Sequence, residues 1–204
     1  MICLVIGYLF GSFLTAEVIA QAWAHTSIFK LGDGNPGMAN LGHELGAKAA
    51  IICLAGDILK TVAAVLTARA LFPDMGILAT AWAGLGTTLG HCFPFWHHFR
   101  GGKGVTTISS TIILMSPLWG ILAGVVSVVT IVLTGYLSVG ALAGIIFFTC
   151  AMFVTMPLEC GLISLVFVAL ELYCHGSKLM GIKDGTAHRA SLSTKFWAKI
   201  RGDK

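Results

Sequence analysis

The sequence predicts an all-α, polytopic membrane protein with seven transmembrane helices, its N-terminus outside and its C-terminus cytoplasmic. Three observations carry that prediction. Apolar residues make up 56% and charged residues only 11% of the 204-residue chain, where a soluble domain carries about 25% charge, and the mean hydropathy is +0.88. The apolar residues gather into long stretches at 1–23, 48–72, 75–95, 105–134, 136–156 and 158–174, against the span of about 20 residues that crosses a bilayer. The short alternating segments of a transmembrane barrel are not visible.

The stretch 1–23 lacks a positively charged n-region and an A-x-A-like cleavage site, so it reads as a retained first span rather than a signal peptide. The stretches 48–72 and 75–95 are the second and third spans. The next, 105–134, is too long for one ordinary span, and Pro117 favours a break within it. Charge decides between one helix and two. With a single helix the basic tail (Lys178, Lys183, Arg189, Lys195, Lys199, Arg201, Lys204) would land outside, against the positive-inside rule. Split at Pro117, the chain has seven spans, the fourth a short or tilted helix starting near Gly104. The polar loops 25–47 and 96–104 and the tail then share the cytoplasmic side. Eleven of the 13 Lys and Arg residues lie inside or at the inner boundary, leaving Arg69 outside and Lys60 within a span. The tail is expected to contact anionic lipid; its few interleaved aromatics argue against nucleic-acid binding.

Several features of the spans read as packing. The pairs Gly7/Gly11, Gly86/Gly90, Gly120/Gly124 and Gly140/Gly144 allow close helix approach. The six scattered cysteines read as small buried hydrophobes, and no Cys-x-x-Cys pair is present. Asp57 and Lys60 stand three apart and share a helix face, so they can form an intramembrane ion pair, with a substrate contact as the alternative. Glu17 and Glu171 sit near span ends and are expected at the interface. No repeat suggests the inverted halves of a transporter.

Two polar loops carry the candidate chemistry. In the second, Arg100-Gly101-Gly102-Lys103-Gly104 runs into a helix start. Glycines let N–H groups approach an anion, and a helix N-terminus adds partial positive charge. Lys103 adds a full one. The alternative is a glycine-rich turn with a positive-inside Lys and Arg. It is not a Walker A loop, since Gly104 follows Lys103 where Ser or Thr is required. His91, Cys92, His97 and His98 lack an accompanying carboxylate, so no metal site is read; they and the nearby aromatics fit an interfacial belt. The first loop, Gly32-Asp33-Gly34-Asn35-Pro36-Gly37-Met38-Ala39-Asn40, has an Asn-Pro turn flanked by glycines. Successive N–H groups in such a turn can form an anion nest. His175, Lys178 and Lys183 follow the last span on the same side.

Together these residues resemble the PlsY family of bacterial integral-membrane glycerol-3-phosphate acyltransferases, over nearly the whole chain. The match is carried by Gly11-Ser12 and Thr15-Ala16, by GNPG (34–37) with Asn40, by Asp57 and Lys60, and by GH-x-FP (90–94) with GGKGV (101–105). His175 and Gly185-Thr186 match its third motif. The resemblance implies a single membrane-embedded domain over 1–204 in the bacterial cell membrane, with a cytoplasmic active site and no cofactor. A fatty acyl group would move from acyl phosphate to glycerol 3-phosphate, giving lysophosphatidic acid for phospholipid synthesis. By the resemblance, Lys103 binds phosphate, Asn35 orients a substrate and His175 hydrogen-bonds the acceptor. Asp33, Gly34, Gly37, Asn40, His43, Gly101, Gly102, Gly104 and Lys178 line the substrate site.

The sequence departs from the family at Asp33 (Ser), Ala39 (Thr), His43 (Arg), Lys178 (Asn) and Ala187 (Glu). Exchanging Arg for His weakens bidentate phosphate binding. Asp33 beside a phosphate would cost about 1–4 kcal/mol, depending on the local dielectric. Two alternatives stay open at this point: an acyl-phosphate-dependent transferase with a different acceptor, or a catalytically lapsed lipid-binding or scaffold relative. Another acyltransferase class uses a His-x-x-x-x-Asp pair, and no histidine here has Asp five residues later.

Overall fold

The computed structural model of the chain describes residues 1–187 together with Ala190, Ser193, Thr194, Trp197 and Lys199. The tail residues Arg189, Lys195, Arg201 and Lys204 lie outside the described residues. Among the described residues there are nine α-helices and no strand: α1 (Ile2–Gly11), α2 (Thr15–Ala24), α3 (Met38–Leu45), α4 (Ala47–Leu71), α5 (Ile77–Cys92), α6 (Val105–Met115), α7 (Pro117–Thr134), α8 (Leu137–Thr155) and α9 (Leu158–Lys183). Five segments are long and apolar enough to cross a membrane: the α1–α2 segment, α4, α7, α8 and α9. Their outward faces are apolar, with Leu59, Leu66, Leu118 and Val154 exposed, as lipid contact requires. Helices α5 and α6, at 16 and 11 residues, are shorter.

Proline and glycine set most of the helix boundaries. Ser116 is extended because it precedes Pro117, so α6 stops at Met115 and α7 begins with Pro117 in its first turn. The break expected at Pro117 is therefore present. Gly135, at φ +85°, ends α7 in the left-handed conformation that glycine adopts freely. Pro157 separates α8 from α9 in the same way.

The first apolar stretch is not one unbroken helix, as 1–23 had suggested. It stops at Gly11 and restarts at Thr15, with Leu14 extended. The main-chain carbonyls of Ser12 and Phe13 are released from the helical ladder by this break, and both gain partners from elsewhere: the Trp96 indole N–H for Ser12 (2.9 Å) and the Lys60 ammonium for Phe13 (2.9 Å).

The chain divides into two compact units, Met1–Met115 and Ser116–Lys204. In the first, α1 lies along α5 at main-chain contact. A methyl group built on Gly7 would overlap the Ala83 carbonyl, on Gly11 that of Thr87, on Gly86 that of Leu4 and on Gly90 that of Tyr8. Two of the Gly-x-x-x-Gly pairs thus face each other, each admitting the other's backbone. Below them, Ile19, Ala20, Ile28, Leu41, Ala49 and Cys53 form a buried cluster joining α2, the first loop, α3 and α4.

In the second unit α8 packs against both α7 and α9. Gly144 sits against Ser127 of α7, whereas Gly124 faces open space, so only one of the two glycine pairs in this unit marks a tight crossing on both positions. The Ser193 hydroxyl and the Trp197 indole N–H both donate to the Val132 carbonyl at 2.9 Å, and the Ala190 N–H donates to Gly135 O at 2.7 Å. Ala190, Ser193 and Trp197 are thereby tied to the C-terminal end of α7.

Gly86→Leu should lower the melting temperature of detergent-solubilised protein by more than ordinary core overpacking, which costs about 1–3 kcal/mol, because main chain cannot move aside. Gly124→Ala should leave it unchanged or slightly raised. Differential scanning fluorimetry on the two variants checks both.

Candidate active site

In the first unit the site is built on a buried charge. Lys60 and Asp57 are 7% and 3% exposed, and an ammonium in such surroundings must be paired and hydrogen-bonded. The Lys60 Nζ lies 2.8 Å from Asp57 Oδ1, donates to Phe13 O at 2.9 Å and approaches His91 Nδ1 at 2.9 Å. These are three acceptors for three ammonium protons. An ammonium has donors only, so His91 Nδ1 accepts and the ring proton sits on Nε2. Thr15 adds a hydroxyl to Asp57 Oδ1 at 3.2 Å. The pair expected from the three-residue spacing is present, and it is larger than a pair.

His91 carries this node into the second loop. Its carbonyl accepts the Gly102 N–H at 3.0 Å. A Cβ on Gly102 would overlap the His91 ring, and one on Gly101 would overlap the His91 carbonyl. Both glycines are therefore required by close approach. Gly104, at φ +83°, turns the chain into α6 and offers its carbonyl to the Ile108 N–H and the Thr107 hydroxyl. Lys103 stands between them, half-buried, one residue before that turn. The aromatics of this loop fasten it to α1: the Tyr8 hydroxyl donates to Phe93 O at 2.7 Å, and Trp96 reaches Ser12 as above. Of the aromatics expected in an interfacial belt, Trp96 anchors the loop through its indole N–H and Phe93 through its main-chain carbonyl.

The first loop is tied together by Asn40. Its amide donates to the carbonyls of Leu31 (2.9 Å) and Asn35 (3.1 Å), while its Oδ1 accepts the Asp33 N–H (3.2 Å). Asp33 Oδ1 in turn accepts the Asn35 N–H at 3.1 Å, the local pattern of an Asx turn. The acid thus has a backbone role. Gly34, at φ +70°, and Gly37, extended at the cap of α3, complete the turn around buried Pro36. His43 points outward, its side chain 86% exposed, and pairs with Glu44 at 3.2 Å. Glu17 was expected at the interface. It is half-buried in the protein and organises this loop, its Oε2 accepting from the Ser27 hydroxyl at 3.0 Å and the Ile28 N–H at 2.8 Å. The two loops meet where the Phe29 ring lies 5.5 Å from that of His97.

In the second unit His175 and Lys178 are carried by α9, His175 buried and Lys178 exposed. Gly185, at φ +71°, closes α9, and the Gly181 carbonyl accepts the N–H groups of Thr186 and Ala187. Glu171 was expected at the interface too. It is 3% exposed, and its Oε2 lies 2.7 Å from His175 Nδ1. An i,i+4 Glu-x-x-x-His spacing was available to find this contact.

Comparison with known proteins places this arrangement. The family model for glycerol-3-phosphate acyltransferase matches residues 1–185. The chain belongs to the glycerol-3-phosphate acyltransferase family. Its relatives include glycerol-3-phosphate acyltransferase 1 of Lactobacillus johnsonii, 31% identical over 98% of this chain and 96% of the relative. The glycerol-3-phosphate acyltransferase of a Thermoanaerobacter species is 32% identical over 94% of this chain and 96% of the relative. Among solved structures, the glycerol 3-phosphate form of PlsY, an integral membrane glycerol 3-phosphate acyltransferase, superposes with a TM-score of 0.83 at 28% identity, covering 93% of this chain and 94% of that one. The lysophosphatidic acid form gives 0.82 over 96% and 97%. Like those relatives, this chain is an integral membrane protein with several spanning helices.

Removing the ammonium by Lys60→Met leaves Asp57 buried without its counter-ion and should cost about 3–5 kcal/mol, read as a lower melting temperature. The amide of Gly102 should exchange hydrogen faster, because His91 loses the contact that orients it; exchange mass spectrometry over 100–104 measures this.

Proposed function

We propose that this chain transfers a fatty acyl group from acyl phosphate to the 1-hydroxyl of glycerol 3-phosphate, releasing lysophosphatidate and inorganic phosphate. The observation that carries the reading is the pair of abutting loops in the first unit, GNPG (34–37) and GGKG (101–104), each folded by the glycines that the family shares. Both substrates bear phosphate. Lys103 contributes a cation, and the loop N–H groups with the start of α6 contribute oriented dipoles, suited to holding two phosphates side by side and stabilising charge on the leaving one. Asn35 orients a substrate on this reading. His175 hydrogen-bonds the acceptor hydroxyl, and Lys178 supplies a cation toward the acceptor. Gly34, Gly37, Asn40, Gly101, Gly102 and Gly104 shape the backbone that contacts substrate. The Asx turn of Asp33 favours this reading over a changed acceptor, because the acid has a conformational reason to be present.

The same reading takes residues 1–204 as one membrane-embedded domain crossing the cell membrane seven times. The α1–α2 segment is the first span, and α5 and α6 are the two short ones. The N-terminus lies outside, and the loops and tail lie on the cytoplasmic side. Support comes from the charge distribution, and from Ala190, Ser193 and Trp197 being tied to the end of α7 that alternation places on that side.

Purified, reconstituted protein given acyl phosphate and glycerol 3-phosphate should yield lysophosphatidate. No product at any pH, while a family member works alongside, overturns the proposal. Lys103→Ala should lower kcat/KM by about 10- to 100-fold, the worth of a hydrogen bond to a charged group. Asp33→Ser keeps an oxygen for the turn and removes the charge, so glycerol 3-phosphate acylation should rise; a fall would mean that the carboxylate itself serves the substrate.

A further inference from the structure

We infer that His91 is a substrate-binding residue whose Nε2–H donates to a phosphoryl oxygen held at the Gly101–Gly104 loop. The inference rests on the acyl-transfer reading above and deepens it, and every residue it uses belongs to the first unit. Lys60 fixes the state of the ring. Its ammonium lies 2.9 Å from His91 Nδ1, and an ammonium has donors only. Nδ1 is therefore the acceptor, and the single ring proton sits on Nε2. The ring takes no second proton while that contact stands. His91 is thus a neutral imidazole with one donor, on the far side of the ring from Lys60.

That donor has no acceptor among the described residues. The polar contacts of the ring are Lys60 and, at 3.9 Å, Asp57, both through Nδ1. Yet the side chain is only 5% exposed, and a buried N–H left without an acceptor costs free energy. The donor edge also has a direction. Nε2 and the two ring carbons beside it, Cε1 and Cδ2, are the atoms that a Cβ on Gly102 would meet. The edge therefore faces the backbone next to Lys103, just before Gly104 turns the chain into α6. The first N–H groups of α6 have no partner within the helix, and its N-terminus carries partial positive charge. A cation, main-chain donors and a buried side-chain donor thus gather on one short loop, and a phosphoryl oxygen is an acceptor that suits all three. An amide oxygen in place of Nδ1 would serve Lys60 equally well; the imidazole adds a donor opposite. Lys60 also improves that donor, because hydrogen bonds in series polarise one another.

Reconstituted full-length protein with ¹⁵N-labelled histidine tests this, with inorganic phosphate as the probe. The wild-type His91 signal should report the Nε2–H form, and its Nε2–H proton should move downfield as phosphate is added. His91→Asn keeps an oxygen near the Nδ1 position for Lys60 and removes the Nε2 donor. It should bind phosphate about 10- to 100-fold more weakly, the worth of a hydrogen bond to a charged group, with the melting temperature as the check on folding. Steady-state kinetics then identify the phosphate: of acyl phosphate and glycerol 3-phosphate, the one whose KM rises in His91→Asn is the one that His91 holds. A wild-type Nε2–H proton that phosphate leaves unmoved, or wild-type phosphate affinity in folded His91→Asn, overturns the inference, while acyl transfer by the wild-type protein keeps the reaction intact. The spectrum needs no variant, so a His91→Asn protein that fails to fold does not remove the test. A phosphate-dependent shift in a wild-type protein that transfers no acyl group overturns the reaction and leaves His91 as an anion-binding residue.

Discussion

The first unit is organised around one ammonium group. Lys60 sits in the second apolar span, where an unpaired charge is excluded on energetic grounds. Each of its protons must find an acceptor, and the three acceptors come from three different places: the Asp57 carboxylate one turn back on α4, the Phe13 carbonyl on the first span, and His91 at the end of α5. A continuous helix over 2–24 could not present the Phe13 carbonyl, since it would be used within the helix. The break at Ser12–Leu14 and the buried lysine therefore imply each other. Because His91 is also the residue whose carbonyl and ring shape Gly101 and Gly102, a requirement of the membrane interior becomes a requirement on the loop that holds Lys103.

Close backbone approach is the second constraint, and it works in the same direction. The glycines of α1 and α5 bring the two helices near enough for Tyr8 and the Ser12 carbonyl to reach Phe93 and Trp96. The second loop is thus held from inside by His91 and from the side by α1. The first loop has its own clamp in Asn40 and Glu17. On the proposed reading these contacts fix the loops before substrate arrives, which is what electrostatic stabilisation of a transition state demands.

Much of this was legible in the residues. The membrane class followed from composition, the break at Pro117 from proline chemistry, the Asp57–Lys60 pair from spacing, and the two loops from their glycines. What was not legible depended on long-range contacts. Nothing at Ser12–Leu14 breaks a helix by local propensity; its cause is Lys60, almost fifty residues on. His91 looked like one of several interfacial histidines because its partner lies on another helix. Asp33 looked like a pure electrostatic defect because a charge count does not show that its oxygen accepts the Asn35 N–H. Glu171 looked interfacial from its distance to the span end, although its i,i+4 relation to His175 was in plain view.

On the proposed reading the buried Asp57–Lys60 pair serves the site and not only the fold, and one measurement separates the two. Replacing both charges with apolar residues of similar size removes the desolvation penalty, so such exchanges are often neutral for stability. The kcat/KM for glycerol 3-phosphate of the Asp57→Leu/Lys60→Met double variant should nevertheless stay depressed by about 100-fold in folded protein, as displaced reacting groups do, because His91 has lost the ammonium that orients it. A folded double variant with wild-type kcat/KM would mean that the pair serves the fold alone.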